Sequence, residues 1–208
     1  MNNKEFENRL YSEGFDLIAG CDEVGRGCIA GPVFACAIIM PKNSNIKGVT
    51  DSKKLTDKMR RKLKEEILKE AISYSVVQIS NEEIDRINIL EASRKAMEEA
   101  LKSLNVLPNY ILTDCMKITT DIPYESIVKG DERSYTIGCA SIVAKVLRDD
   151  LMIELAKEFP GYDWDKNKGY PTPFHKMQLS KLGITKHHRL TYEPVKLILD
   201  SINKVNND

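Results

Sequence analysis

Apolar positions along the chain fall into blocks whose period switches between two and about 3.6, the signatures of strand and helix. Continuous apolar runs predict buried strands over 17–21 and 33–40, joined by a glycine-rich turn. A polar stretch, 51–56, leads into a helix over 58–71 with Met59, Leu63, Ile67 and Leu68 on one side. Ser73–Ile79 alternates as a strand should. Ser80-Asn81-Glu82-Glu83 is a capping box, so a helix starts there, with Ile84, Ile87, Leu90, Met97, Ala100 and Leu101 on its apolar face. Two short strands are expected over 110–113, ending at Asp114, and over 124–128, ending in Lys129-Gly130-Asp131. A wide apolar stripe over 135–159 predicts a long helix buried against a sheet. Pro160-Gly161 stops it, 167–173 reads as a loop, and helices follow over 173–182 and 193–202. Residues 203–208 are read as a frayed tail.

Five strands, the first three close in sequence, with helices inserted later, describe an α/β domain with a helical C-terminal extension. The expected division is 1–158 for the main domain and 159–208 for an extension packed on it. The length of 208 residues suits that organisation. A hydrophobic content of 42% and a charged content of 30% are those of an ordinary globular protein. No apolar run approaches a membrane span, and the first residues are too acidic and polar for a secretory signal. A cytoplasmic location is therefore expected. Cysteines at 21, 28, 36, 115 and 139 form no metal-binding spacing, and four lie in apolar stretches, so they are read as small buried hydrophobes.

Lysine plus arginine equals aspartate plus glutamate at 31 each, so whole-molecule charge does not announce a nucleic-acid partner. Charge is segregated locally. Lys53, Lys54, Lys58, Arg60, Arg61, Lys62 and Lys64 lie close together, and Lys186, His187, His188 and Arg189 form a second cluster. Each is read as a solvated face or a phosphate contact.

The chemistry concentrates in acids at strand ends. Asp22 and Glu23 follow one apolar run, Asp114 a second, and Asp131 a third. Two carboxylates about 4 Å apart repel by about 4 kcal/mol at an effective dielectric of about 20. A bound cation or an altered pKa removes that cost. In open α/β sheets, site residues gather where strands end, and a carboxylate cluster there suits Mg²⁺ or Mn²⁺. Neighbouring residues on a regular strand point to opposite faces, so Asp22 and Glu23 reach one site only if the strand is distorted, which Gly25 and Gly27 would permit. Each acid taken singly could instead serve a turn or a helix cap. The three locations together favour a metal cluster.

The segments Ile18-Ala-Gly-Cys-Asp-Glu-Val-Gly-Arg-Gly27, Asp51-Ser-Lys-Lys-Leu55, Leu112-Thr-Asp114, Lys129-Gly-Asp131 and Ala140-Ser-Ile-Val-Ala-Lys-Val-Leu-Arg-Asp149 resemble bacterial ribonuclease HII. Lys168-Gly-Tyr-Pro-Thr172 and His188-Arg-Leu-Thr-Tyr-Glu-Pro194 continue the resemblance in order, so it covers about 15–195. It implies a ribonuclease H-like mixed five-stranded sheet flanked by helices. It also implies a nuclease that cleaves the RNA strand of RNA–DNA hybrids and nicks duplex DNA on the 5′ side of an embedded ribonucleotide. The products would carry 5′-phosphate and 3′-hydroxyl ends, and two ions, Mg²⁺ or Mn²⁺, would be used.

By the same resemblance Asp22, Glu23, Asp114 and Asp131 are the metal ligands, with Glu132 nearby. Gly25, Arg26 and Gly27 sense the ribose 2′-hydroxyl, the group that separates RNA from DNA. Tyr170 stacks on a sugar next to the RNA–DNA junction, and Lys53, helped by Ser52, contacts phosphate without reading sequence. Lys145, Arg148 and Asp149 are read as helix packing or ion pairing. A monomer is expected, and no replication partner is assigned to the tail. Two other readings stay open: a metal nuclease acting on ribose-free duplex, and a hybrid-binding protein without catalysis.

Overall fold

The structure is a computed structural model describing residues 4–205. Its centre is a five-stranded sheet: β1 (Ile18–Val24), β2 (Val33–Ile39), β3 (Ser73–Ile79), β4 (Tyr110–Asp114) and β5 (Tyr124–Ile127). The strand order is β3-β2-β1-β4-β5. β1 to β3 form an antiparallel meander, and β4 and β5 run parallel to β1. The sheet is mixed, as expected, and the carboxyl ends of β1, β4 and β5 lie along one edge.

Every residue of β2 is buried, because helices cover both faces. Ala35, Ala37 and Ile39 pack with α4 (Ile89–Lys102), whose Ala92, Ala96, Met97 and Ala100 make the opposing face. Cys36 and Ile38 point the other way, towards α2 (Asp57–Glu70) and α6 (Tyr135–Glu158). Alternation along one strand thus feeds two cores. α6 lies so close to β1 that a Cβ at Gly20 would sit 2.3 Å from the Thr136 carbonyl carbon. Only a residue without a side chain allows that approach.

Several elements depart from the sequence-based expectation. Helix α1 (Glu5–Ser12) was not anticipated. Its buried Glu7 accepts from the Ser134 hydroxyl at 2.6 Å and the Thr136 amide at 2.9 Å, which caps the start of α6. The helix expected from the capping box is broken into α3 (Asn81–Ile87) and α4. Asn88 takes a left-handed φ of 68°, and its side chain caps the second helix through the amides of Leu90 and Glu91. A short helix α5 (Gly130–Arg133) follows β5, and another, α7 (Trp164–Asn167), lies in a stretch given no element, just before the loop expected over 167–173. α8 (Pro173–Leu182) matches, and α9 (Val195–Val205) continues through residues 203–205, read above as frayed. Residues 206–208 of that tail lie outside the described residues.

The C-terminal segment packs on the glycine-rich turn after β1. Tyr162, Trp164, Leu179 and Val195 join Ile29, Ala30 and Met152 in a separate cluster. Among the described residues no helix is long and apolar enough to cross a membrane.

Candidate active site

The parallel register of β1 and β4 ends at Cys21 opposite Thr113, so the next residues, Asp22 and Asp114, stand side by side where the ladder stops. The third acid arrives by a sharp turn. Lys129 adopts a left-handed conformation (φ 56°) after β5, opening α5 with Asp131 in its first turn. The Gly130 amide donates to Asp114 Oδ1 at 2.7 Å and fixes that carboxylate against the turn. Carboxylate oxygens of Asp22, Asp114 and Asp131 all lie within 4.8 Å of one another.

Asp22 and Asp131 are buried and Asp114 is partly so. Burial pushes all three carboxyls upward, and like charges push the same way, Asp114 on Asp22 and Asp131, and Asp51 on Asp114. Asp22 is raised furthest, with Glu23 and Asp114 as its main like-charged neighbours. Asp22 Oδ1 accepts the Glu23 amide at 2.8 Å, and a hydrogen bond from Ser141 on α6, whose hydroxyl also lies 3.0 Å from Ser52 Oγ, eases its carboxyl. The opposing cation is Lys53, 3.4 Å from Asp131 Oδ2 and 3.7 Å from Asp51. Its side chain is 75% exposed. One solvent-exposed ammonium does not neutralise three clustered carboxylates. The donor set, all hard oxygen, fits a divalent cation such as Mg²⁺ or Mn²⁺.

Glu23 stands beside this group of three rather than within it. β1 is not distorted: Asp22, Glu23 and Val24 pair in unbroken register with Cys36, Ala35 and Phe34. Consecutive residues therefore alternate, and Glu23 is absent from the three-carboxylate group. It remains within electrostatic reach. Burial, with Asp114 adding, raises it to about 7, against the pull of Arg26. Arg26 approaches Glu23 Oε1 at 3.4 Å, while Oε2 is buried without a partner. That bare oxygen is a further sign of a site built for an additional positive group. Glu132 pairs with Lys54 at 2.9 Å, away from the three.

The Gly-Arg-Gly turn lies beside the acids. Gly25 has a φ of +98°, and a Cβ there would meet Arg148 Nε at 2.1 Å. A Cβ at Gly27 would lie 3.6 Å from Tyr170 Cε1, so the turn and the tyrosine adjoin. Tyr170 is 38% exposed. Ser52 is buried, with its hydroxyl against Ser141, and so supports the turn that carries Lys53.

Two cationic groupings are rearranged relative to the sequence reading. Lys145 and Asp149 form an ion pair at 2.7 Å, as read, but Arg148 pairs with no acid among the described residues and instead donates to three carbonyls. In the second basic cluster His188 and Arg189 are buried rather than solvated, and only Lys186 is exposed. Ser141, Arg148 and Arg189 were not picked out for these roles. A single polar residue in an apolar helix or loop carries no periodic signal to mark it.

Comparison with known proteins agrees with this geometry. The family model for ribonuclease HII matches residues 19–195. Ribonuclease H2 from Pyrococcus horikoshii OT3 is 27% identical with a TM-score of 0.75, covering 90% of this chain and 99% of its own. The ribonuclease HII of the PCNA:RNase HII complex from Archaeoglobus fulgidus is 26% identical with a TM-score of 0.72, covering 88% and 96%. Bst-RNase HIII in complex with Mn²⁺ shares the fold at 16% identity and a TM-score of 0.64, covering 90% and 70%. The family model spans most of the chain, so the chain belongs to the ribonuclease HII family, and its chemistry is that of a metal-dependent ribonuclease H.

Proposed function

We propose that this enzyme hydrolyses the RNA strand of RNA–DNA hybrids and nicks duplex DNA on the 5′ side of an embedded ribonucleotide, leaving 5′-phosphate and 3′-hydroxyl ends. The observation that carries the reading is the meeting of the Asp22, Asp114 and Asp131 carboxylates within 4.8 Å. These three, with Glu23 beside them, would hold two divalent ions, Mg²⁺ or Mn²⁺. When bound, such ions offset the carboxylate charge and supply Lewis acidity at the scissile phosphodiester.

The chain's own groups do the rest. Ser141 and the Gly130 amide hold Asp22 and Asp114 in place before substrate arrives. Lys53, exposed and next to Asp131, reaches a backbone phosphate. Gly25, Arg26 and Gly27 present backbone groups to a 2′-hydroxyl, which both donates and accepts. Tyr170, adjoining Gly27, offers a rigid ring to the neighbouring sugar. In this reading 1–158 supplies the carboxylates and 159–208 supplies Tyr170.

The test uses matched duplexes with zero, one or four ribonucleotides, each with Mg²⁺ and with Mn²⁺. Cleavage 5′ of the ribonucleotide, and none of the all-DNA duplex, is expected. Asp22→Asn should abolish it while leaving the circular dichroism spectrum unchanged. An Asp22→Asn variant with near wild-type turnover, or equal cutting of all-DNA duplex, refutes the reading.

A further inference from the structure

Two arginines, Arg148 and Arg189, are fully buried and make no ion pair among the described residues. Burying a cation without a carboxylate is costly unless its donors are all met. Here they meet main-chain carbonyls, all but one of them in the 25–32 loop. Arg189 donates through Nη2 to Gly25 O at 2.7 Å and Gly31 O at 2.9 Å, through Nη1 to Arg26 O at 2.9 Å, and through Nε to Gly31 O at 3.0 Å. Tyr192 adds its hydroxyl to Arg26 O at 3.1 Å, and its ring lies 5.1 Å from the guanidinium. From the opposite side Arg148 donates to Pro32 O at 3.0 Å, Lys168 O at 2.9 Å and Ala30 O at 3.3 Å. A fixed, permanently charged fork suits several carbonyls at once, where a lysine offers a point charge.

The strand-like strap that carries Arg189 is itself fastened to α3. Asn81 donates to the carbonyls of Lys186 at 2.9 Å and His188 at 3.3 Å. Asp85 accepts from the amides of Leu190 at 2.8 Å and Thr191 at 3.0 Å, and from the Thr191 hydroxyl at 2.6 Å. The consequence for the loop follows from peptide planarity. In a trans peptide, C=O and the next N–H point in opposite directions. Drawing Gly25 C=O and Arg26 C=O inward onto Arg189 therefore turns the amides of Arg26 and Gly27 outward. Neither amide has a protein acceptor among the described residues.

We propose that Arg189, assisted by Tyr192, is a positioning residue that sets ribonucleotide selectivity by aiming the Arg26 and Gly27 amides at the substrate, without touching substrate itself. This rests on the reading of Gly25, Arg26 and Gly27 as the ribose-sensing element. Tyr192→Phe removes the hydroxyl that donates to that loop and bonds Arg189, and Arg189→Lys removes the fork.

The test compares binding of two matched duplexes, one with a single ribonucleotide and one all DNA, by fluorescence anisotropy at low salt with chelator present. No strand is then cut, and only recognition is read. Wild-type enzyme should prefer the ribonucleotide duplex. Tyr192→Phe should narrow that preference about 2- to 10-fold, the worth of one hydrogen bond. Arg189→Lys should narrow it further, with affinity for the all-DNA duplex retained in both. If the preference is unchanged in both variants, the proposal falls while the proposed function stands. If both duplexes lose affinity equally, the arginine is only structural and the proposal falls as well. A wild-type enzyme with no preference overturns the ribose-sensing reading, and this proposal with it.

Discussion

Glu23 shows how one side chain can be strained and useful at once. Its carboxyl is raised to about 7 because burial and the Asp114 charge outweigh the attraction of Arg26. The ordinary glutamate value is about 4.3. Between those values the folded protein holds a proton that the unfolded chain has released. Stability of the metal-free enzyme therefore falls as pH rises through that window and is lowest above it. The loss is about 3 kcal/mol in order of magnitude. Glu23→Gln removes the titration. In chelator, urea midpoints of the variant should decline less steeply from pH 5 to 8 than those of the wild type. Parallel curves would mean that Glu23 is not charged against its neighbours. The same variant should bind Mn²⁺ more weakly, about 10-fold by calorimetry, because one negative charge beside the cluster has gone.

At the scale of elements, the contact between α6 and β1 governs the site. α6 carries Ser141 and lies directly behind Asp22, and Gly20 sets its distance. Gly20→Ala puts a methyl against the Thr136 backbone, which cannot yield as a flexible side chain would. We expect about 2–3 kcal/mol of destabilisation and a loss of Mn²⁺ affinity in the fraction that folds. Unchanged stability would show that the helix can retreat freely. The strands and longer helices were legible in the sequence because each buries a periodic apolar face. The 33–40 and 73–79 runs, and the stripe from Ile137 to Leu155, needed no tertiary knowledge. What could not be read was set by distant partners. The break at Asn88 depends on a left-handed turn inside a continuous apolar pattern. Helix α1 is held by one buried carboxylate on the start of α6 and by Leu10, with Phe6 and Tyr11, packed against Ile18 and Leu112. For the site, the acids announced themselves by position, but the divergence of Glu23 depends on an unbroken strand register, and the roles of Arg148 and Arg189 depend on carbonyls of a loop far away in sequence.

Across the whole molecule, two ionic systems respond to pH with opposite sign. The carboxylate group is stabler when protonated, so without metal it favours low pH. The C-terminal segment behaves the other way. There His175 Nδ1 lies 2.9 Å from the Tyr170 carbonyl, Trp164 donates to His175 Nε2 at 3.0 Å, and His188 Nε2 lies 3.3 Å from that same nitrogen. Thr185 approaches His188 Nδ1 with its amide at 3.0 Å and its hydroxyl at 2.9 Å. Both rings are buried and held neutral: burial lowers His175, and burial with its histidine neighbour lowers His188 to about 3. Below the ordinary histidine value of about 6.5 the unfolded chain takes up protons that this pair refuses, so stability falls as pH drops. In the metal-free enzyme the two declines overlap below the ordinary histidine value and oppose each other there, so its stability maximum lies below about pH 6.5. Saturating Mn²⁺ cancels the carboxylate decline only, and the maximum should move above about pH 7. Urea midpoints from pH 4 to 9, with chelator and with Mn²⁺, check this directly. A His188→Gln variant separates the two systems. It should flatten the acid limb by up to about 1.4 kcal/mol per pH unit and leave the alkaline limb in place. If the alkaline limb persists in saturating Mn²⁺, the carboxylates are not where the ion binds.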